Sequence, residues 1–220
     1  GRTLLAEGAQ GFWLDLYHGL YPHTTSTDTT ASGAYNGLGF PLHKYLNRDS
    51  VIGVAKAIKS RVGEGPFVTE VTQEPQVSLM RGQRGMPGAE YGTTTERPRR
   101  VGYLDLPEIR RAVLVNGITR MALTKLDALP ELGSAVQIAT AYLRDGQEMA
   151  IAPGSVYDLE RSEPAYEKRE IEQENIGEIR TFGELGSNTK RTVRFIEEQL
   201  GVDIVLIGTG TDRHQIIRRI

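Results

Sequence analysis

Two segments of this chain read, in order, as helix, glycine, short apolar strand and polar loop. In the first, Pro107 is a good first helical residue, and Ile109, Ala112 and Val113 fall on one helical face. Asn116-Gly117 ends that helix, residues 118–123 are an apolar strand, and Thr124-Lys125-Leu126-Asp127 follows. In the second, Ser187 or Asn188 caps a helix that places Val193, Ile196 and Leu200 on its core face. Gly201 stops it, residues 202–207 form a buried strand, and Gly208-Thr209-Gly210 opens from its end. Helix-then-strand order predicts an α/β fold with a mostly parallel sheet flanked by helices. In such sheets ligands bind outside the C-terminal ends of the strands, where both polar loops lie.

The remaining segments are weaker. Residues 4–7 read as a short buried strand entering a glycine loop, and 51–61 as a strand in its second half. Residues 136–142 and 148–151 flank Arg144-Asp145-Gly146-Gln147, a hairpin signal. The polar stretch 155–186 reads as a surface excursion rather than a second domain, so residues 1–220 are expected to form one domain.

Composition excludes several classes. With a net charge of −2 and a pI near 6.2, a nucleic-acid binder is not expected. No apolar run is long enough to span a membrane, and no signal peptide is visible. There is no cysteine, which removes disulfides and thiolate metal sites, and the four histidines show no metal-binding spacing.

Two clusters carry chemistry instead. Thr93-Thr94-Thr95-Glu96-Arg97-Pro98-Arg99-Arg100 has the makings of an anion clamp. Guanidinium groups grip carboxylate or phosphate through paired hydrogen bonds. Pro98 pushes Arg97 toward an extended conformation, in which Arg97 and Arg99 share a face, and the threonines add neutral donors. A solvated basic loop is the plainer alternative. Thr124-Lys125-Leu126-Asp127 suits guanine: a carboxylate accepts from both N1–H and the 2-amino group, and a lysine stem lies across the base. Its plainer alternative is an exposed lysine and a turn-forming aspartate.

Further segments change the balance. They are Glu7-Gly8-Ala9-Gln10-Gly11, Asp15, His18-Gly19-Leu20-Tyr21-Pro22 and the hydroxyl-rich residues 24–30. Then come Arg61-Val62-Gly63-Glu64-Gly65-Pro66-Phe67, Thr69-Glu70, Leu104-Asp105 and Ile207-Gly208-Thr209-Gly210-Thr211-Asp212-Arg213. In this order, with the two clusters between them, they resemble adenylosuccinate synthetase, in a compact form of the archaeal, viral or phage kind. The resemblance runs from about residue 4 to 213 and is weakest over 155–186.

The resemblance implies a P-loop-NTPase-like fold and a GTP-dependent ligase that joins aspartate to IMP, in a cytoplasmic homodimer that uses Mg²⁺. It implies that Gln10 meets the purine near the reacting oxygen as the catalytic contact, and that Thr25 holds the IMP phosphate. Val62 and Gly63 would line the IMP ribose and base, with Arg97 also on the IMP side. Thr94, Thr95 and Arg99 would take aspartate. Arg99, Lys125, Asp127, Gly208, Thr209 and Gly210 would contact GTP.

Two departures stand out. No Gly-Asp-x-Gly-Lys-Gly-Lys phosphate loop occurs in the chain, so the fold is expected to be truncated at its N-terminus. The loop's catalytic Asp, the catalytic His and the Mg²⁺ ligands would then lie in an absent N-terminal portion, and the chain alone would be inactive. Glu96 stands where the family usually has Gly, and it is expected to compete with aspartate for Arg97, Arg99 or Arg100. Three other readings remain: a phage-type 2-aminoadenylosuccinate synthetase acting on dGMP, a GTPase-like switch, and a degenerate homologue that binds nucleotide without catalysis.

Overall fold

The structure, a computed structural model, describes residues 4–39, 51–92 and 96–219. In chain order its elements are α1 (Ala31–Leu38), β1 (Ile52–Lys56), β2 (Lys59–Arg61), α2 (Gln76–Arg81), β3 (Arg100–Gly102) and β4 (Leu104–Asp105). Then follow α3 (Leu106–Asn116), β5 (Arg120–Thr124), β6 (Ala135–Arg144), β7 (Gln147–Met149) and α4 (Val156–Glu160). The last are β8 (Glu163–Glu170), α5 (Ser187–Leu200), β9 (Asp203–Gly208) and β10 (Ile216–Arg218).

The main sheet has the order β1-β5-β9-β10. β1, β5 and β9 run parallel, and β10 closes one edge antiparallel. The fold is therefore α/β with a mostly parallel main sheet, as the helix-to-strand order requires. In register Lys56 pairs with Thr124, and Leu123 with Ile207. The strands thus end together, and Lys56, Thr124 and Gly208 form one row along the sheet's C-terminal rim.

One face of this sheet holds the core. Met121, Leu123, Ile204, Ile207 and Ile217 are buried in one cluster with Val193, Ile196 and Leu200 of α5, and Ile109 and Val113 of α3 pack against it. Both helices stop at glycines in the left-handed region, Gly117 and Gly201, as read from the sequence. The other face is open at β1, where Val54 is 74% exposed.

A second sheet is built on β6, which pairs parallel with β4 and antiparallel with β7 and β8. Asp145 and Gly146 both take positive φ at the β6–β7 turn, the geometry the Asp-Gly pair predicts. β2 and β3 form a separate antiparallel pair.

Four expectations are corrected. Residues 4–7 form no strand: Leu4 and Leu5 are exposed, and no described strand pairs with them. Residues 51–61 give two strands in different sheets, because the chain breaks at Ala57-Ile58, which bury their side chains in the core. Residues 155–186 are not a surface excursion. β8 pairs with β6 along its length, and Ile171, Ile176 and Leu185 enter the main core. Alternate burial along β8 is hidden by its charged outward residues, so its composition reads as loop. Finally, neither Ser187 nor Asn188 caps α5. Its N-cap is Gly186, and the caps come from carboxylates distant in sequence. Glu172 accepts from the Asn188 and Thr189 N–H groups at 2.8 and 3.1 Å, and Glu174 from Gly186 N–H at 3.1 Å. Negative charge at this end also complements the helix dipole.

Candidate functional site

Lys125 follows the last residue of β5 and takes a left-handed conformation, φ 61°. That turn sends its ammonium back over the sheet rim, where it donates to Gly88 O at 2.6 Å and lies 2.5 Å from Glu90 Oε1. Lys56, the last residue of β1, reaches the same carboxylate at 2.8 Å, and its ammonium also donates to Ser60 Oγ. Arg99 completes the group: its Nη1 donates to Glu90 Oε2 at 2.9 Å, and its backbone N–H donates to Glu90 O at 2.9 Å. Three cations from three parts of the chain therefore converge on one carboxylate that is only 1% exposed.

The electrostatics follow from the geometry. Burial pushes the Glu90 carboxyl up, but hydrogen bonds from Lys125 and Lys56 and the charges of those lysines outweigh it and hold it at about 2. Glu90 stays ionised, and the cluster carries more positive than negative charge. Burial lowers Lys56 below the usual lysine range, with Glu90 pulling it back up. Arg99 Nε is buried with no hydrogen-bond acceptor among the described residues. One edge of this guanidinium is held and the rest is uncommitted.

Asp127 sits in the 3-10 turn Leu126–Ala128 just beyond, half-buried. Burial raises its carboxyl, while its own backbone N–H and Lys125 lower it. Gly208 abuts Thr124 across the rim: a Cβ there would sit 3.3 Å from Thr124 Cα. Thr209 is fully buried, and its N–H donates to Gln215 O at 2.8 Å. The Gln215 side chain folds under Gly210, donating to Gly177 O at 3.0 Å and accepting from Asp212 N–H at 2.9 Å. A Cβ on Gly210 would overlap Gln215 Oε1, at 2.3 Å. A Cβ on Gly88 would meet Thr211 Cγ2 at 2.9 Å, so the loop that receives Lys125 also packs against the Gly208–Thr211 turn. Lys125, Asp127, Gly208, Thr209, Gly210 and Arg99 thus gather at one end of the sheet.

The other nominated residues lie on loops joined to this end through Arg100. Its guanidinium pairs with Glu70, donates to Gly65 O at 2.8 Å and lies over the Phe67 ring. Val62 and Gly63 are exposed on that loop, and Arg61 Nε donates to Glu64 O at 3.0 Å within it. His23 packs against Gly65, which brings the loop containing Thr25 alongside. Asp15, fully buried, ties that loop together by accepting from the N–H groups of Tyr17, His18 and Thr29. Thr25 N–H donates to Leu14 O, Gln10 is exposed with φ 58°, and Arg97 is exposed beside Glu96. Thr94 and Thr95 lie outside the described residues.

Non-glycine residues with positive φ are uncommon and concentrate at functional positions. Among the described residues they are Gln10, Glu96, Lys125 and the hairpin residue Asp145. Asp145 lies in the hairpin read from the sequence, and the other three fall in segments that carry the resemblance or the proposed chemistry.

Glu96 does not compete for the clamp. Its carboxylate pairs with Arg84, and both side chains are about two-thirds exposed. Sequence reasoning also missed Glu90 and Gln215. Glu90 is a lone acid between Gly88 and Gly92; the only available signal is a carboxylate placed just ahead of an arginine cluster.

Among the described residues, no group of three or more His, Cys, Asp or Glu side chains is placed to hold a metal. A groove of about 320 Å³ between Gln76, Tyr103, Gln137, Tyr166 and Lys168 contains none of the residues nominated from sequence.

Comparison with known proteins identifies the family and the fold. The family model for adenylosuccinate synthetase matches residues 1–217. Curated adenylosuccinate synthetases from Caldanaerobacter subterraneus subsp. tengcongensis and Myxococcus xanthus are 43% and 44% identical over 217 residues. These alignments cover 99% of this chain and 49% and 48% of the relatives. The chain therefore spans about half the length of the curated relatives it matches. A solved structure of fully ligated adenylosuccinate synthetase from Plasmodium falciparum superposes with a TM-score of 0.88 at 38% identity, covering 97% of this chain and 49% of that one. The cyanophage S-2L succinoaminodeoxyadenylate synthetase bound to dGMP and dATP shares the fold, at TM-score 0.56 and 18% identity.

Proposed function

Since the chain belongs to the adenylosuccinate synthetase family, we propose that it supplies the guanine-reading and aspartate-clamping part of a ligase that joins aspartate to IMP at the expense of GTP. The observation that supports this most is the convergence of Lys125 and Arg99 on Glu90 at the sheet's C-terminal rim. Two elements proposed to handle different substrates are built as one unit.

In this reading the Asp127 carboxylate accepts from N1–H and the 2-amino group of guanine. The Lys125 stem covers the base, and the close-packed Gly208-Thr209-Gly210 turn presents backbone beside it. Arg99, with Thr94 and Thr95, takes the aspartate carboxylates. Gln10, Thr25, Val62, Gly63 and Arg97 line the IMP side, where the Gln10 amide can donate to and accept from the purine. Phosphoryl transfer of this kind depends on positioning and electrostatic stabilisation. No Gly-Asp-x-Gly-Lys-Gly-Lys phosphate loop occurs in the 220 residues, and in this reading that loop, its catalytic Asp and the Mg²⁺ ligands belong to an N-terminal portion. The proposal is therefore a single C-terminal portion, residues 1–220, working with an N-terminal portion in a cytoplasmic homodimer. Identity of 43–44% to curated adenylosuccinate synthetases gives IMP the better claim over dGMP as the purine.

Calorimetric titration of the chain with GDP and with ADP tests the reading. GDP is expected to bind at least tenfold more tightly, the scale set by one charge-assisted hydrogen-bond pair. The chain by itself is expected to release no phosphate from GTP in the presence of IMP and aspartate. Equal affinity for the two nucleotides, or steady turnover by the isolated chain, refutes it.

A further inference from the structure

Glu90 has a structural oddity for a supporting residue. A single buried carboxylate holding one cation is ordinary, but this one is shared among Lys56, Lys125 and Arg99. Lys56 is fully engaged, since its donors go to both Glu90 oxygens and Ser60 Oγ. It therefore anchors Glu90 to the main sheet. Lys125 and Arg99 are not fully engaged. Lys125 contacts Oε1 and Gly88 O, and Arg99 contacts Oε2 through one nitrogen while its Nε has no acceptor among the described residues. Lys125 keeps one ammonium hydrogen, and Arg99 is held through Nη1 alone with its side chain 27% exposed, so each retains a donor for a ligand while Glu90 fixes its position. One oxygen of the carboxylate serves the proposed guanine side and the other the proposed aspartate side.

We infer that Glu90 is a positioning residue that couples nucleotide and dicarboxylate binding, an inference that rests on the functional reading above. A nucleotide that settles Lys125 restrains Glu90, and through it Arg99. The dicarboxylate then binds a guanidinium that is already oriented and pays less ordering entropy. Because coupling is reciprocal, the dicarboxylate must tighten the nucleotide by the same factor. The physical link is two hydrogen-bonded contacts on one rigid three-atom group, so no wider movement of the fold is needed.

The test is calorimetric titration of the chain with GDP, with succinate, and with each in the presence of the other. These probes carry neither a transferable γ-phosphate nor a reacting amine. In the unmutated chain each is expected to tighten the other about fivefold or more, the lower end of typical coupling. E90D keeps the charge but is one methylene shorter, so it cannot reach both cations; E90Q keeps the length but loses the charge. Both are expected to bind each ligand separately with the coupling factor near one. E90D decides the matter if E90Q does not fold, as judged by circular dichroism. Independent binding by the unmutated chain overturns the inference, as does coupling that persists in both variants while each affinity falls. Failure of the unmutated chain to bind GDP overturns the functional reading and this inference with it.

Discussion

Glu96 turns away from the arginines that follow it and pairs with Arg84 across the neighbouring loop. Its backbone sits in the left-handed region, φ 51°, where a residue with a Cβ is disfavoured by about 1 kcal/mol or more. The exposed ion pair returns at most about 1 kcal/mol. Replacing Glu96 with Gly removes both, so the melting point of Glu96→Gly is expected to stay within a few degrees of the unmutated chain. Since the carboxylate is not on the clamp, succinate affinity by calorimetry is expected to change less than about twofold, and a gain of several-fold would show that Glu96 does compete for the clamp in solution.

Asp127 is raised by its burial yet remains next to Lys125. In the proposed site, Asp127→Asn can accept only one of guanine's two hydrogens and offers a clashing donor to the other. GDP affinity is expected to fall by roughly 2 kcal/mol, with succinate affinity unchanged. A variant that binds GDP as well as the unmutated chain would remove Asp127 from the guanine contact.

Below the clamp lies a buried charge network the sequence did not suggest. Lys59 sits 3.0 Å from Asp105 Oδ2 and 2.5 Å from Glu108 Oε2. Two carboxylates face one ammonium, with Arg61 further off, so one negative charge is in excess. Burial first, and then Asp105, raise Glu108 to about 7, against the pull of Lys59 and Arg61. From its ordinary value of 4.5 up to about 7, the folded chain holds a proton there that the unfolded chain has released. This contribution is complete below the lower value and is lost as pH rises through the upper one. Glu90 acts in the opposite sense. Its contribution is present above the ordinary value and disappears as pH falls toward about 2, so it is constant across the range of the test. Thermal melts at pH 5 and pH 8 are therefore expected to differ less in Glu108→Gln than in the unmutated chain. Parallel pH dependences in the two proteins would assign Glu108 no such role.

Tyr142, fully buried on β6, donates to Asp105, with its hydroxyl 2.7 and 2.6 Å from the two carboxylate oxygens. Burial, with the charges of Glu108 and Asp105, raises this phenol far above its usual range, so it remains a donor. Tyr142→Phe leaves a buried carboxylate short of one partner and is expected to destabilise the fold by about 1–3 kcal/mol in urea titrations. Retention of the unmutated midpoint would mean that Thr69 and Lys59, which already donate to Asp105, satisfy it without Tyr142.

The sequence by itself determined the two helix-to-strand units, their glycine stops and the Asp-Gly hairpin, and it singled out the residues proposed for the site. These are local signals: a periodicity, a conformation that glycine allows, or a residue type suited to one kind of hydrogen bond. Strand β8 and the caps of α5 were not legible, because both depend on partners distant in sequence. β8 is a strand because β6 lies beside it, and α5 begins where it does because Glu172 and Glu174 fold back onto it. The same limit applies to the site. Lys125 and the arginine cluster could each be picked out, yet nothing local joins them. Only the parallel register that ends β1 and β5 together, and the chain path that inserts Glu90 between Lys56, Lys125 and Arg99, makes them one constellation. A buried carboxylate draws cations from any distance along the chain, and which ones it receives is decided by the tertiary fold.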